Sequence, residues 1–248
     1  MIIIKNSEQL QSMRESANIL SDVFKLLEDN VQIGITTKKL DKLAHEFILK
    51  CGAIPSFLGY NGFPATLCTS IDEEVVHGFP SSRKLIEGNI IGIDCGVLHK
   101  GFHSDCARTY AIGAVSEEKK RLMDVTKESF FEGIKGLKAG SRLGDIGAGV
   151  QNHVEENGMS VVRALVGHGI GQDLHEDPSV PNYGVRGRGI RLKAGMTIAI
   201  EPMVNLGTHL VDIADDGWTV LTKDRLPSAH YENTIILLSD GVEIITVK

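Results

Sequence analysis

Aromatic residues make up only 5% of this 248-residue sequence, and a single tryptophan is present. There is no run of lysine and arginine, and the formal net charge is −6, so the sequence does not indicate a nucleic-acid surface. No apolar stretch approaches the roughly 20 residues that a membrane-spanning helix needs. The N-terminus, residues 1–6, has a short apolar run without a preceding basic segment. It is typical of an edge strand or lead-in segment rather than a signal peptide.

Closely spaced cysteines are also missing. Cys51, Cys68, Cys95 and Cys106 include no C-x-x-C pair, which argues against a zinc–thiolate site. The even count leaves disulfides open, but the absence of a secretion signal favours reduced thiols in the cytoplasm. Hydrophobic residues make up 42% of the sequence, which is enough for a large core in one or two domains.

Four segments have the periodicity or the end signals of helices. The first has apolar residues at alternating spacings of three and four and can be capped by Asn6 or Ser7. The predicted helices cover residues 7–30, from Thr36-Thr37 to Cys51-Gly52, from Ser116 to about Leu137, and from about Arg142 to Asn157. Strands are predicted over 89–98 and 102–111, a loop-rich region over 53–83, and strands mixed with glycine-rich loops in the last ninety residues.

The chain also contains a weak internal repeat. Gly34, Leu40, Ile48 and Gly52 recur 106 positions later as Gly140, Ile146, Val154 and Gly158. Leu85, Gly88, Ile91, Ile93 and Asp94 recur 107 positions later as Leu192, Gly195, Ile198, Ile200 and Glu201. This offset is too long for a solenoid. It indicates two halves related by a pseudo-twofold axis, with helices covering one sheet in an α+β arrangement.

Two aspartates end apolar runs on either side of a turn-like stretch. If the hairpin closes near His99 and Lys100, Asp94 and Asp105 lie directly opposite each other on one face of the sheet. Like charges in that position destabilise a sheet. A divalent cation between the two carboxylates would turn this cost into a binding site.

Three further residues extend this hypothesis. Glu201 ends an apolar strand and is the repeat partner of Asp94, Glu232 begins another strand, and His168 lies in a glycine-rich segment. Each residue alone is more often structural or solvent-exposed than a ligand. Together with Asp94 and Asp105, they form a set that suits a pair of hard-to-borderline divalent ions, roughly 3.5–4 Å apart.

The sequence resembles methionine aminopeptidases of the short bacterial type I form. The resemblance is carried by Ile93-Asp94, Gly101-Phe-His-Ser-Asp105, Gly167-His168-Gly-Ile-Gly, Ile200-Glu201-Pro-Met and His230-Tyr-Glu232-Asn-Thr, with support from the segments around His77 and His175. It implies a pita-bread fold, with a curved antiparallel sheet covered by helices. We expect one catalytic domain, residues 1–248, with pseudo-repeats at approximately 7–111 and 116–248.

The resemblance further implies removal of the initiator methionine from nascent proteins and peptides, by attack of a metal-bridged water. It assigns two ions, either iron(II), manganese, cobalt or zinc, to Asp94, Asp105, His168, Glu201 and Glu232. Glu201 would be the general base, His175 would stabilise the oxyanion, and His77 would contact the substrate. The methionine pocket maps to Phe57, Tyr60, Phe63, Cys68, His77 and Trp218. Expected features also include a small second residue in the substrate, action at the ribosome, a monomeric state and a cytoplasmic location.

Two alternatives remain open at this stage. Xaa-Pro aminopeptidases and dipeptidases share the five ligands, although they usually have an additional N-terminal domain. A metal-free pita-bread module that binds a protein partner is the other alternative. It would be expected to lose ligands, and this sequence retains all five candidates.

Overall fold

A computed structural model describes residues 1–247 as a mixture of helices and antiparallel strands. Its helices are α1 (Ser7–Glu28), α2 (Thr37–Lys50), α3 (Glu117–Ile134) and α4 (Leu143–Glu156). The N-caps of the first three are Asn6, Thr36 and Ser116, whose side chains accept a hydrogen bond from a first-turn backbone amide. All four helices therefore lie where the sequence predicted them, with each end within three residues of its predicted position. No helix among the described residues is long and apolar enough to cross a membrane.

The strands are short apart from one central hairpin. They are β1 (Ile54–Pro55), β2 (Leu67–Ile71), β3 (Glu74–Val76), β4 (Ile90–His99), β5 (Phe102–Ala111), β6 (Ser160–Val161), β7 (Gly167–Gly169), β8 (Glu176–Val180), β9 (Thr197–Ile200), β10 (Met203–Asn205), β11 (Val211–Ile213), β12 (Val220–Thr222), β13 (Ser228–His230), β14 (Glu232–Leu237) and β15 (Val242–Ile244). Within the described residues, the main sheet follows the order β1-β4-β5-β14-β9-β7-β8, and β2 and β15 pair with β4 and β14. This is the α+β arrangement that the sequence predicted.

The predicted hairpin exists, but its predicted register is wrong. Asp94 pairs with Ala107, and Asp105 pairs with Gly96, so the two aspartates are diagonal rather than directly opposite. The turn residues are Lys100 and Gly101, both with positive φ (50° and 77°), and His99 pairs with Phe102. A two-residue turn of this kind matches the twist of the strands, which explains why the hairpin closes one residue later than predicted. Because side chains alternate with a period of two, both aspartates still share one face.

The two faces of the central hairpin have different neighbours. Ile93 and Cys95 flank Asp94, and both are fully buried in a core formed with α1 and α2. A second core joins Phe130 of α3 to Ile198 and Ile200 of β9 in the other half of the sheet. The helices therefore cover one face, and strand alternation directs Asp94 towards the other.

In three regions the structure gives more detail than the sequence prediction: the N-terminus, the predicted loop-rich region and the helices of the internal repeat. Residues 1–6 form a lead-in rather than a strand. The region predicted to be loop-rich contains β1, β2 and β3, of which β2 pairs with β4 over five residues. Helices α2 and α4 have equal lengths of 14 residues and begin 106 positions apart, as the internal repeat predicted for this part of the two halves.

Candidate metal centre and adjoining cavity

Sheet order brings together acidic residues that are far apart in the chain. Asp94 on β4 and Glu232 on β14 both pair with Ala107 of β5, so the two carboxyl-bearing strands flank the strand of Asp105. Strand β9 pairs with β14 on its other side and ends immediately before Glu201. His168 on β7 pairs with Ala199 of β9. The five predicted ligands thus lie on neighbouring strands of the sheet or, for Glu201, directly after one.

The imidazole of His168 is oriented to act as a ligand through Nε2. Its Nδ1 lies 2.8 Å from the carbonyl oxygen of Gly169, which can only accept, so Nδ1 carries the proton. The Nε2 lone pair is left facing Asp105 Oδ2 at 3.9 Å and Glu201 Oε1 at 3.7 Å. Burial and the neighbouring His175 lower the pKa of His168 to about 3, so the ring is neutral, as metal ligation requires.

The glycines around His168 have a steric role. A side chain at Gly167 would collide with the carbonyl oxygen of Ala199, and one at Gly169 would collide with that of Asp177. Strands β8 and β9 can therefore approach the short strand β7 closely only because glycine flanks the histidine. The Gly-His-Gly pattern in the sequence reflects this packing.

The carboxyl groups are buried at a large electrostatic cost. Burial raises the pKa of Asp94 to about 7. Burial, reinforced by the neighbouring acids, raises the pKa values of Asp105, Glu201 and Glu232 well above their usual range. Such a cluster is stable as anions only with a compensating positive charge, since burying unpaired carboxylates costs several kcal/mol each.

The residues fit a divalent metal. Oxygen and nitrogen atoms of Asp105, His168 and Glu232 all lie within 4.8 Å of one another. Nine buried side-chain nitrogen or oxygen atoms of the described residues have no hydrogen-bond partner, and two of them, Asp94 Oδ1 and Glu232 Oε1, belong to the acidic cluster. Buried polar atoms are normally satisfied, so these two oxygens indicate a missing partner. Carboxylate oxygens combined with one imidazole are a donor set for borderline-to-hard divalent cations.

A cavity of about 200 Å³ adjoins the acidic cluster. Its far wall is aromatic: the rings of Phe63 and Trp218 meet edge to face at 5.3 Å, and Phe79 packs against both. Trp218 is presented by an Asp-Gly turn, in which Asp216 Oδ1 accepts from the Trp218 and Thr219 amides at 2.8 Å. The cavity therefore has one acidic end and one apolar end.

Two further histidines line the same cavity. His175 Nδ1 lies 2.7 Å from the Tyr60 hydroxyl, and the rings of His175 and His168 are 4.2 Å apart. His77 adopts a positive φ of 64°, which is uncommon outside glycine and is often found at functional sites. Burial lowers the pKa values of both His77 and His175, so both rings are neutral near pH 7.

All the residues that the sequence nominated for the site line this one cavity: Phe57, Tyr60, Phe63, Cys68, His77, Asp94, Asp105, His168, His175, Glu201, Trp218 and Glu232. Two others also line it and were missed, Asn61 and Leu174. Leu174 precedes His175 and could have been found by adjacency, whereas Asn61 lies in a turn whose glycines gave the only signal.

A family model, a curated relative and a solved structure all indicate similarity to the same group of metallopeptidases. Residues 11–238 match the model of metallopeptidase family M24. The chain is 54% identical to the methionine aminopeptidase of Clostridium perfringens over 247 residues, covering 100% of this chain and 99% of that protein. The crystal structure of methionine aminopeptidase from Thermotoga maritima superposes with a TM-score of 0.98 at 40% identity, covering all of both chains.

A more distant structure shows the shared fold alone. The Xaa-Pro dipeptidase from Bacillus anthracis has a TM-score of 0.81 at 23% identity. The match covers 99% of this chain but only 62% of the dipeptidase. The dipeptidase therefore has a large additional part that this chain does not match.

Proposed function

This chain belongs to metallopeptidase family M24, and we propose that it uses the cavity to remove N-terminal methionine from polypeptides. The observation that carries the proposal is the junction, in one cavity, of a metal-compatible acidic cluster with an aromatic slot. An aminopeptidase for methionine needs both parts: one to activate water and bind the free amino group, and one to recognise a thioether side chain.

We assign Asp94, Asp105, His168, Glu201 and Glu232 as ligands of two divalent ions. The two unpartnered oxygens and the neutral, correctly oriented imidazole of His168 support this assignment. Ions bound there would supply Lewis acidity, which lowers the pKa of water and polarises a carbonyl group. The donor set is compatible with iron(II), manganese, cobalt or zinc, and cellular availability would select among them.

Glu201 is the proposed general base. It follows β9 at the edge of the acidic cluster, and its backbone carbonyl accepts a hydrogen bond of 2.9 Å from Asn182 Nδ2. This contact fixes the backbone from which the carboxylate reaches into the cavity. Glu201 would accept a proton from the attacking water and pass it to the departing amine.

His175 is the proposed donor to the carbonyl oxygen of the scissile bond. Burial raises the pKa of the Tyr60 hydroxyl, so this group stays protonated and can donate to His175 Nδ1. That pairing places the single proton of the neutral imidazole on Nε2, from which it can be donated to developing negative charge. We assign His77, which lines the same cavity, to the peptide backbone of the substrate.

The apolar end would hold the methionine side chain. Phe57, Phe63 and Trp218 provide ring edges and faces that suit a polarizable sulfur atom, and Tyr60, Cys68 and His77 complete the lining. We expect a small second residue in good substrates, as the family resemblance implies. We also propose that residues 1–248 act as one catalytic domain with pseudo-repeats at approximately 7–111 and 116–248, monomeric and cytoplasmic, on nascent chains at the ribosome.

Peptide cleavage by the metal-loaded protein tests the proposal. Met-Ala-Ser should be cleaved after methionine, Met-Arg peptides much more slowly, and Ala-Pro peptides hardly at all. Preferential cleavage of Ala-Pro peptides would support an Xaa-Pro peptidase instead. Absence of both metal binding and cleavage would support a metal-free binding module. The full-length coverage of methionine aminopeptidases, against 62% of the dipeptidase, favours the first outcome.

A further inference from the structure

The N-terminal lead-in segment contacts the loop that carries His175. We define the His175 loop as residues 171–176, between β7 and the start of β8. Lys5, near the end of the lead-in, forms an ion pair with Glu176, the residue directly after His175. The two residues are 171 positions apart in sequence, so this contact is a product of the tertiary fold.

The Lys5–Glu176 pair is almost fully buried. The two side chains are only 2% and 3% exposed, whereas those of Arg14 and Glu243, another pair that ties the N-terminal region to the sheet, are 33% and 35% exposed. A buried carboxylate needs a compensating charge, because it has lost its hydration. Lys5 supplies this charge next to a residue proposed to contact the substrate.

Glu176 also closes the loop in which it lies. Its Oε1 accepts hydrogen bonds from the backbone amides of Gln172 at 2.9 Å and Asp173 at 3.4 Å, while Oε2 contacts Lys5. The carboxylate thus fixes the chain on both sides of His175. The negative charge of the carboxylate also strengthens the hydrogen bonds from these two backbone amides, as expected for charge-assisted hydrogen bonds.

Packing around the pair leaves little space for alternative loop positions. A Cβ atom at Gly171 would lie 2.5 Å from Lys5 Cε, so the loop lies directly against the lysine side chain. The Lys5 amide is bound to the Gly195 carbonyl oxygen at 2.9 Å, and the His103 amide is bound to that of Gly171 at 2.8 Å. The backbone of Lys5 is therefore fixed to the segment that leads into β9, and its side chain packs against the His175 loop.

We propose that Lys5 is a positioning residue for His175, acting through the carboxylate of Glu176. Removing the ammonium group would leave the buried carboxylate of Glu176 without a compensating charge. The carboxylate could then regain hydration only if the loop opened. His175 would then lose its position beside the cavity. The kinetic consequence rests on the proposed peptidase function, but the effect on loop structure does not.

Amide hydrogen exchange tests the structural part independently of activity. Lys5→Met retains most of the side-chain volume but removes the charge, and we expect it to accelerate exchange at Gln172 and Asp173. Arg14→Met is the matched control, since it breaks an ion pair of the same N-terminal region away from this loop. Adding Glu176→Gln to Lys5→Met removes the stranded charge, retains an acceptor, and should restore protection. Unchanged exchange in Lys5→Met would overturn the proposal.

Steady-state kinetics on Met-Ala-Ser test the positioning role. Lys5→Met should lower kcat by about 10- to 100-fold with little change in KM or metal content, because small displacements of a catalytic group have effects of this order. Arg14→Met should leave kcat unchanged. In a His175→Ala background, Lys5→Met should have no further effect on kcat, because both changes remove the same contribution.

The outcomes separate this inference from the proposed function. Losses that multiply in the double variant, or equal losses in Lys5→Met and Arg14→Met, would show a merely structural role and overturn the positioning role. A wild-type protein that failed to cleave any methionyl peptide would instead refute the proposed function, and exchange at Gln172 and Asp173 would still decide whether Lys5 holds the loop.

Discussion

The two ends of the cavity are built in different ways. The acidic end is formed by residues on or directly beside central strands, where backbone pairing fixes each side chain, such as Asp94 on β4 and Glu232 on β14. The aromatic end is formed mainly from turns, such as the turn before Trp218 and the glycine-rich turn around Tyr60. The acidic end carries an electrostatic cost, whereas the aromatic end gains free energy from burial.

This difference indicates a division of labour. Activating water and stabilising charge requires placement within fractions of an ångström, which paired strands provide. Recognising an apolar side chain tolerates small shifts, which turns allow. Changes at the acidic end should therefore affect mainly kcat, and changes at the aromatic end should affect mainly KM.

The largest effect is expected for Glu201→Gln, which removes the proposed base while preserving side-chain shape. We expect kcat to fall by about 10²–10⁴-fold, the usual contribution of a positioned base. Thermal stability of the metal-free protein should not fall, because a buried glutamine is neutral without binding a proton, whereas the raised pKa of Glu201 makes its burial costly near neutral pH. Cleavage of Met-Ala-Ser, metal content and Tm are the measurements, and Glu128→Gln, at an exposed position, is the control. Near-normal turnover would remove Glu201 from the catalytic assignment.

The next largest effect is expected at the opposite end. Trp218→Ala removes an aromatic wall that contacts Phe63, and the lost apolar burial of about 1.5–3 kcal/mol corresponds to a roughly 10- to 100-fold lower kcat/KM. The change should lie mostly in KM, and Trp218→Phe should recover part of it. If kcat fell while KM stayed constant, the proposed division between the two ends would be wrong.

The electrostatic cost of the acidic end predicts a pH-dependent stability. Carboxyl groups with raised pKa values bind protons more tightly in the folded, metal-free protein than in the unfolded chain, so stability falls as pH rises. The histidines have lowered pKa values and act in the opposite sense below their unfolded value of about 6.5, so the clean window for the carboxyl groups begins at about pH 6.5.

Thermal unfolding of metal-free protein across this window measures the effect. We expect a loss of about 1.4 kcal/mol per pH unit for each carboxyl group that is protonated in the folded protein and ionised in the unfolded chain at that pH. Saturating divalent metal should raise Tm and flatten the dependence, because bound cations stabilise the ionised carboxylates. The same slope with and without metal would contradict the assignment of these acids as ligands.

The smallest effect is expected at Phe57. Phe57→Leu retains an apolar residue of similar size, so we expect a loss of stability below about 1.5 kcal/mol. KM for methionyl peptides should change by a few-fold, with kcat unchanged. Kinetics with Met-Ala-Ser and norleucyl-Ala-Ser would show whether the ring contacts the substrate side chain, since only a direct contact should affect the two substrates differently.

Local interactions account for what sequence reasoning predicted well. The helix positions follow from apolar spacing and from caps such as Asn6 and Ser116, which act within a few residues. The acidic ligands and His168 were proposed from strand ends and a glycine-rich segment, and the internal repeat identified Glu201 as the counterpart of Asp94. The aromatic pocket and the roles of His77 and His175 came from the family resemblance. None of these inferences needed long-range geometry.

The hairpin shows where local reasoning fails. Its two strands and the common face of Asp94 and Asp105 were predicted, but the pairing was displaced by two residues because the turn uses Lys100 and Gly101. Strands β2 and β3 were also missed within a proline-containing region, since their formation depends on pairing with β4 and β12 rather than on their own sequence.

The sequence by itself therefore determined the helices, the acidic residues and the histidine proposed as ligands, and the 106-residue offset between α2 and α4. Only the tertiary structure decided how strands far apart in sequence order themselves so that Asp94, His168 and Glu232 meet. It also decided that Lys5 is buried against Glu176. The physical reason is that caps and periodicity act over a few residues, whereas strand order, burial and charge compensation depend on contacts made across the whole chain.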